Sequence, residues 1–210
     1  MASLRKASVI SGDVIGSSIL KPAARKKLQR LMDSFFSDAG RQWPDLKVQQ
    51  YRGDSLQALL TRNREKALRI ALLLQSFLIK EKFAIRLAIG IGDISFKSKD
   101  VITSDGTAFQ ASGPYLDELL KSGDVISIAS LDKAFTAEWM VHSEALNFII
   151  QHWSPQQAEA IYLQLQNHTQ QAIARKLKIK QPSVHQRLQG AGWPVVQKIL
   201  QRFESVVPAV

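Results

Sequence analysis

The chain has 210 residues, 45% of them hydrophobic, enough for one large core or for one medium and one small one. Lys and Arg number 28 against 18 Asp and Glu, a formal charge of +10 that suits a polyanionic partner. Cysteine is absent, which excludes disulfides, thiolate metal sites and a cysteine nucleophile. The first residues hold too short an apolar run for a signal peptide, and no stretch has the length of a membrane-spanning helix. The expectation is a cytoplasmic protein with no membrane partner.

In chain order, residues 7–10 are a short apolar run expected to be a strand. It leads into Ser11, Gly12, Asp13, Val14, Ile15, Gly16, Ser17 and Ser18, which read as a glycine-punctuated turn. Residues 23–39 read as a helix, with Leu28, Leu31, Met32, Phe35 and Phe36 at helical spacing. Trp43, Pro44 and Asp45 end it. Residues 48–50 and 55–60 read as two strands meeting at a tight hairpin with Gly53 and Asp54 at the tip. Residues 64–82 form a helix with Ala67, Ile70, Ala71, Leu74, Phe77 and Leu78 on one face. The nearly continuous apolar run 85–91 suits a central strand. Asp105 and Gly106 make a turn, residues 108–120 are helical in their second half, and 125–129 form an edge strand. Strand, helix, hairpin, helix, strand, helix, strand predicts an α+β sandwich, an antiparallel sheet with helices on one face. Residues 135–152 read as a connecting helix, and 155–167, with Ser154 as its N-cap and Pro155 at its first position, 169–178, 182–189 and 193–205 as four shorter ones. The expected division is 1–132, 133–152 and 153–206.

The stretch 169–188, TQQAIARKLKIKQPSVHQRL, reads as two short helices around a tight turn. Thr169 is the N-cap of the first, whose apolar stripe is Ile173, Ala174 and Leu177. Residues 178–181 supply the turn, and Pro182 falls at the start of the second helix, where its missing N–H costs nothing. Val184 and Leu188 return that helix to the same core, and the small Ala174 lets it cross closely. Residues 151–204 carry seven Lys/Arg against two acids. The pattern resembles a DNA-binding helix-turn-helix, most of all the reading module at the end of sigma factors. That resemblance implies duplex DNA contacts from Thr169, Gln170, Lys178, Lys180, Gln181, Ser183, His185, Gln186 and Arg187. A plain helical hairpin packed on another element is the competing reading.

Asp13 and Asp54 each follow a glycine at a strand end or hairpin tip. If the first strand lies beside the hairpin, both carboxylates converge on one edge of the sheet. Two carboxylates suit Mg²⁺, which takes one or two of them together with substrate phosphates. Val14, Ile15, Gly16, Ser17 and Ser18 then offer backbone N–H groups to a phosphate. Simple turn chemistry explains the same Gly-Asp pairs equally well. His142, His152, His168 and His185 have no ligand spacing, Ser11, Ser17 and Ser18 have no histidine nearby in sequence, and Trp139, Trp153 and Trp193 fit core positions.

These motifs, in this order, resemble class III nucleotide cyclases and the related palm-type polymerases. DVIGSS (13–18) is similar to the first metal-binding strand end and its phosphate-cradling turn, and YRGDSLQ (51–57) to the hairpin bearing the second metal-binding aspartate. IRLAIGIGDI (85–94) resembles the strand before the active-site helix, and SDGTAFQASG (104–113) the start of that helix. With the C-terminal helix pair, nearly the whole chain resembles the SatD family of bacterial proteins. The resemblance implies a nucleotide-cyclase or palm-like, ferredoxin-type sandwich followed by a small all-α helix-turn-helix domain. Active cyclases bring an asparagine and an arginine to the ribose and phosphates. Laid on GTAFQASG, those places hold Phe109 and Gly113, and the acid that follows the aspartate in diguanylate cyclases is Ser55. The resemblance thus implies a site that keeps its metal half and lacks its transition-state half. The expected function is a DNA-binding transcriptional regulator whose degenerate cyclase-like domain senses a nucleotide with Mg²⁺ or forms a homodimer. The alternatives are a nucleotidyl cyclase or nucleotidyltransferase with a nucleic-acid-binding helical domain, and a purely structural dimerisation platform.

Overall fold

The computed structural model describes residues 5–51, 54–94 and 106–209. Five strands there form one sheet: β1 (Arg5–Val14), β2 (Lys47–Tyr51), β3 (Ser55–Leu60), β4 (Ile85–Ile94) and β5 (Ile126–Ser130), in the order β2-β3-β1-β4-β5. β1 pairs antiparallel with β3 and β4, and β3 with β2, while β5 runs parallel to β4. The sheet is therefore mixed rather than wholly antiparallel. A parallel neighbour needs a crossover element between the strands, and α3 (Thr107–Ser122) is that element. Its helical turns begin at Thr107, so the whole of 108–120 is helical and not its second half alone. Arg52, Gly53 and Asp105, expected in turns, lie outside the described residues.

Helices cover both faces of the sheet, not one. On β1, Ile10 and Val14 belong to the large core, whereas Ala7 and Val9 join Leu59, Ile94, Ala108 and the half-buried Phe109 on the opposite face. Ser11 follows the second set, and its hydroxyl donates to Ser112 Oγ at 3.0 Å. Close approach of α3 depends on glycine in β4. A Cβ on Gly90 would stand 2.1 Å from the Ala108 carbonyl oxygen, and one on Gly92 2.4 Å from Thr107 Oγ1.

The first face carries α1 (Pro22–Gln42) and α2 (Ala67–Lys80). α1 ends where Trp43 and Pro44 were expected to end it. α2 is apolar well beyond the single predicted stripe. Leu68, Leu72 and Leu73 lie off the line of Ala67, Ile70, Ala71 and Leu74, and all seven are buried. A helix apolar all round must be covered all round, and one sheet covers only one side. The rest of the cover comes from α5 (Pro155–Leu165) and α8 (Trp193–Val206), while α4 (Lys133–Gln151) packs on β5. Phe77 of α2 meets Tyr162 of α5 with ring centroids 5.3 Å apart. Arg69 donates to the Leu165 carbonyl at 3.1 Å and pairs with Glu204 at 2.8 Å. One hydrophobic core consequently runs without a break from Ile10 through α2 to Leu188 and Phe203.

The remaining helices are α6 (Gln170–Leu177) and α7 (Gln181–Gly190). Both helix starts expected to be capped are capped. Ser154 accepts from the Gln157 amide in a reciprocal capping box, and Thr169 accepts from the Ala172 amide at 3.2 Å. No helix among the described residues is long and apolar enough to cross a membrane.

Glycine-to-alanine exchanges at two positions should act with opposite signs. Gly40→Ala in α1 meets nothing within 4 Å and should stabilise the protein by about 0.5–1 kcal/mol, the usual helical preference for alanine. Gly90→Ala must push α3 off the sheet and should cost about 2–4 kcal/mol. Urea unfolding of both variants measures the difference.

Candidate functional site

The antiparallel register sets Asp13 of β1 opposite Ser55 of β3 on one side and Arg86 of β4 on the other. Asp13 and Val14 are the last residues of the strand rather than part of the turn. The Ser55 hydroxyl donates to Asp13 Oδ1 at 3.2 Å, and Arg86 Nη1 stands 3.8 Å from Asp13 Oδ2. Asp54 is held at the same end through its backbone, because the Val14 amide donates to the Asp54 carbonyl at 3.0 Å. Its side chain accepts from the Ser17 hydroxyl at 2.7 Å. The two aspartates are close enough to repel. Burial pushes the Asp13 carboxyl above its usual range, and the charge on Asp54 adds to the effect, while Ser55 and Arg86 oppose it.

Two of the five backbone N–H groups expected to face a phosphate are engaged within the chain. The Val14 amide is engaged by Asp54, and the Ile15 amide donates to the Ala84 carbonyl at 2.8 Å. Both were expected to offer N–H groups to a phosphate, and strand pairing takes them instead. Ser17 gives its hydroxyl to Asp54. Gly16 and Ser18 are exposed, and Gly16 adopts φ 71°, a left-handed conformation that glycine takes without strain.

Arg86 was missed by sequence reasoning. The signal was present: it is the one charged residue in the apolar run 85–92, and it faces the same side of the sheet as Asp13. Its Nε is buried without a hydrogen-bond partner. Among the described residues no group of three or more His, Asp or Glu is placed to hold a metal. What stands at the sheet end is a pair of carboxylates with one guanidinium. That donor set fits a hard cation taken with a ligand's phosphates, the mode in which Mg²⁺ uses few protein carboxylates. Phe109 packs against the second core, and Gly113 faces open space, so neither touches this cluster's charges.

The second set of candidate residues lies on α6, α7 and their turn. Ile173, Ala174, Val184 and Leu188 are buried, and Gln181, His185, Gln186 and Gln189 form an exposed stripe on α7. Arg175, Lys176, Lys178 and Lys180 are exposed beside it. Lys178 closes α6 in the left-handed conformation, φ 54°. Thr169 is exposed but its hydroxyl caps α6. Gln181 Nε2 donates to Gln170 Oε1 at 2.7 Å, which ties the start of α7 to the start of α6. Ser183 is half-buried, and Arg187 turns toward Glu159 of α5 at 3.9 Å.

No protein-family model and no curated protein matches the chain. Among solved structures, a bacterial light-regulated adenylyl cyclase is similar with a TM-score of 0.46 and 12% identity, over 60% of this chain and 76% of that one. A guanylyl cyclase gives 0.41 and 14%, over 61% and 76%. The active GGEEF domain of a diguanylate cyclase from Vibrio cholerae gives 0.40 and 16%, over 59% and 83%. Likeness at this level assigns this chain neither an activity nor a ligand.

The raised Asp13 carboxyl has a measurable consequence. The folded chain binds that proton more tightly than the unfolded one, so stability falls as pH rises through the range just above the ordinary aspartate value. Asp13→Asn removes the cost at neutral pH. Its melting temperature should exceed wild type by about 1–2 °C at pH 7, and the two should converge near pH 3. Thermal scans across pH check both.

Proposed function

We propose that this chain is a DNA-binding regulator of the SatD type, reading duplex DNA with α7 and its preceding turn. The observation that supports the reading best is the exposed polar stripe of Gln181, His185, Gln186 and Gln189 flanked by four exposed cations. A helix-turn-helix sets the start of its second helix against base edges in the major groove. Amide side chains at that position suit adenine, and the neighbouring cations suit phosphates. Arg187, engaged by Glu159, serves to set α7 on α5 rather than to reach DNA. Because α5 and α8 complete the core around α2, the DNA-reading helices and the sheet act as one body, and the full chain is the binding unit.

In this reading the sheet end takes Mg²⁺ and a nucleoside triphosphate as a signal and does not turn it over. The cation would relieve the repulsion between Asp13 and Asp54, and Arg86 would add positive charge for the phosphates. A homodimer fits the regulator reading, since paired copies recognise paired half-sites. The enzymatic alternative shares the same carboxylates and differs in making product. Calorimetry of wild type and of the Asp13→Ala/Asp54→Ala double variant with Mg²⁺ and nucleoside triphosphates, run with product chromatography, separates the two. Heat without product, lost in the double variant, is the expected result. Product formation lost in the double variant would favour the enzyme.

For DNA binding, fluorescence anisotropy of the full chain should show affinity falling steeply with salt. Gln186→Ala should cost about 1–3 kcal/mol on the preferred sequence and little on others. Lys180→Ala should weaken all sequences alike and lower the salt slope by about 1. No binding at low salt, or identical effects of the two substitutions, would overturn the placement of α7.

Lys178 gives a compound test. Glycine suits a left-handed helix end far better than lysine, so Lys178→Gly should stabilise the fold by about 1 kcal/mol while weakening DNA binding. A loss of both stability and binding would point to a structural role for the lysine instead.

A further inference from the structure

One face of α4 carries large apolar side chains into water. Phe148 is 70% exposed, Val141 69% and Met140 56%, and Leu131, just ahead of the helix, is 59% exposed. Their bare surface comes to roughly 400 Å², the size at which a patch on a soluble chain marks a contact surface. On the helix the exposed residues Ala134, Ala137, Val141, Glu144, Phe148 and Gln151 recur at alternating steps of three and four, the spacing of a coiled-coil seam. The back of the helix is fixed, so the seam cannot turn inward. Trp139, Leu146 and Ile150 are buried, Asn147 Oδ1 accepts from the Val125 and Ile126 amides, and Arg202 of α8 pairs with Glu138 at 2.9 Å.

Charge narrows what covers this face. α4 holds one of the chain's 28 Lys and Arg, Lys133, against Glu138 and Glu144. Across a small hollow beside Met140, Glu118 and Asp124 add further negative charge. DNA and anionic lipid are repelled there, whereas two copies that each carry +10 can approach with few cations facing. The seam also matches itself when two copies run antiparallel. Phe148 then lies over Ala137 of the partner subunit, a large ring over a methyl group, and Val141 meets the stem of Glu144 of the partner subunit. A parallel pair would set the two copies of Glu144 against each other, charge on charge.

We propose that α4 is the contact of a closed homodimer, its exposed seam packed antiparallel on the same seam of a second copy. The proposal rests on the paired-copy part of the regulator reading and gives that pairing a surface. The two-fold relation uses the same patch on both chains and leaves no seam open to a third. α3 on one side and α8 on the other form the rim. Because α8 follows α7 in the chain and is tied to α4 through Arg202, pairing at α4 fixes the distance between the two reading helices.

Sedimentation velocity of the full chain across a range of concentrations tests the proposal, and a dimer is expected. Phe148→Glu and Val141→Glu each place a carboxylate in the seam and should weaken pairing at least about a hundredfold. Both side chains are exposed in the single chain, so the resulting monomers should keep the wild-type circular dichroism spectrum. The chain has no cysteine, so introduced thiols report the direction of pairing without background. Ala137→Cys and Phe148→Cys chains, mixed and oxidised, should join to one another in preference to themselves, because only an antiparallel pair brings those two positions within disulfide reach. A wild-type monomer at the highest attainable concentration, assemblies larger than a dimer, pairing untouched by both glutamates, or thiols that join only to their own kind would each overturn the assignment. A monomer that still binds DNA removes this contact and leaves the DNA-reading helix standing, whereas a dimer through α4 that binds no DNA does the reverse.

Discussion

The structure depends on the burial of α2. Ten of its fourteen residues are buried, and they point in every direction around the helix. A helix of that kind is costly in water on whichever side is left open. The sheet removes one side from solvent and leaves the other to be covered by whatever the chain makes next. α5 and α8 supply that cover, and the Arg69–Glu204 pair with the Arg69–Leu165 bond pins it at the edge. The shared core of the sheet and the C-terminal helices follows from the composition of a single helix.

The end of the sheet is governed by a different balance. Register, not loop geometry, brings Asp13, Ser55 and Arg86 together, because β1 lies between β3 and β4. A carboxylate there is desolvated and faces a second negative charge, and one guanidinium offsets the cost only in part. Such a site is strained electrostatically in the direction that a bound cation relieves.

Much of this fold was legible in the sequence, and the limits have physical causes. Helices with strong periodicity and capping residues, such as α1, α5 and the α6–α7 pair, appear where Leu28, Ser154 and Thr169 predict them. The edge position of β5 follows from its short run, and the end of α1 from Trp43 and Pro44. The face taken by α3 was not legible, since it rests on Gly90 and Gly92 meeting a helix far along the chain. The full burial of α2 was not legible from the one stripe read on it, since Leu68, Leu72 and Leu73 lie off that line. At the site, Asp13 and Asp54 announce themselves by their glycines, whereas Arg86 acquires meaning only through register.

The cover on α2 also sets the order of events during synthesis. The ribosome finishes α2 at Lys80 and starts α5 only at Pro155, roughly 75 residues later. At about 5–20 residues per second the interval is about 4–15 s, long compared with the collapse of a small chain. During it, an oily helix lies on a finished hairpin with half its surface bare. The nascent chain is therefore at its stickiest in mid-translation, and synonymous codon changes between residues 80 and 155 lengthen or shorten that exposure without altering a single amino acid.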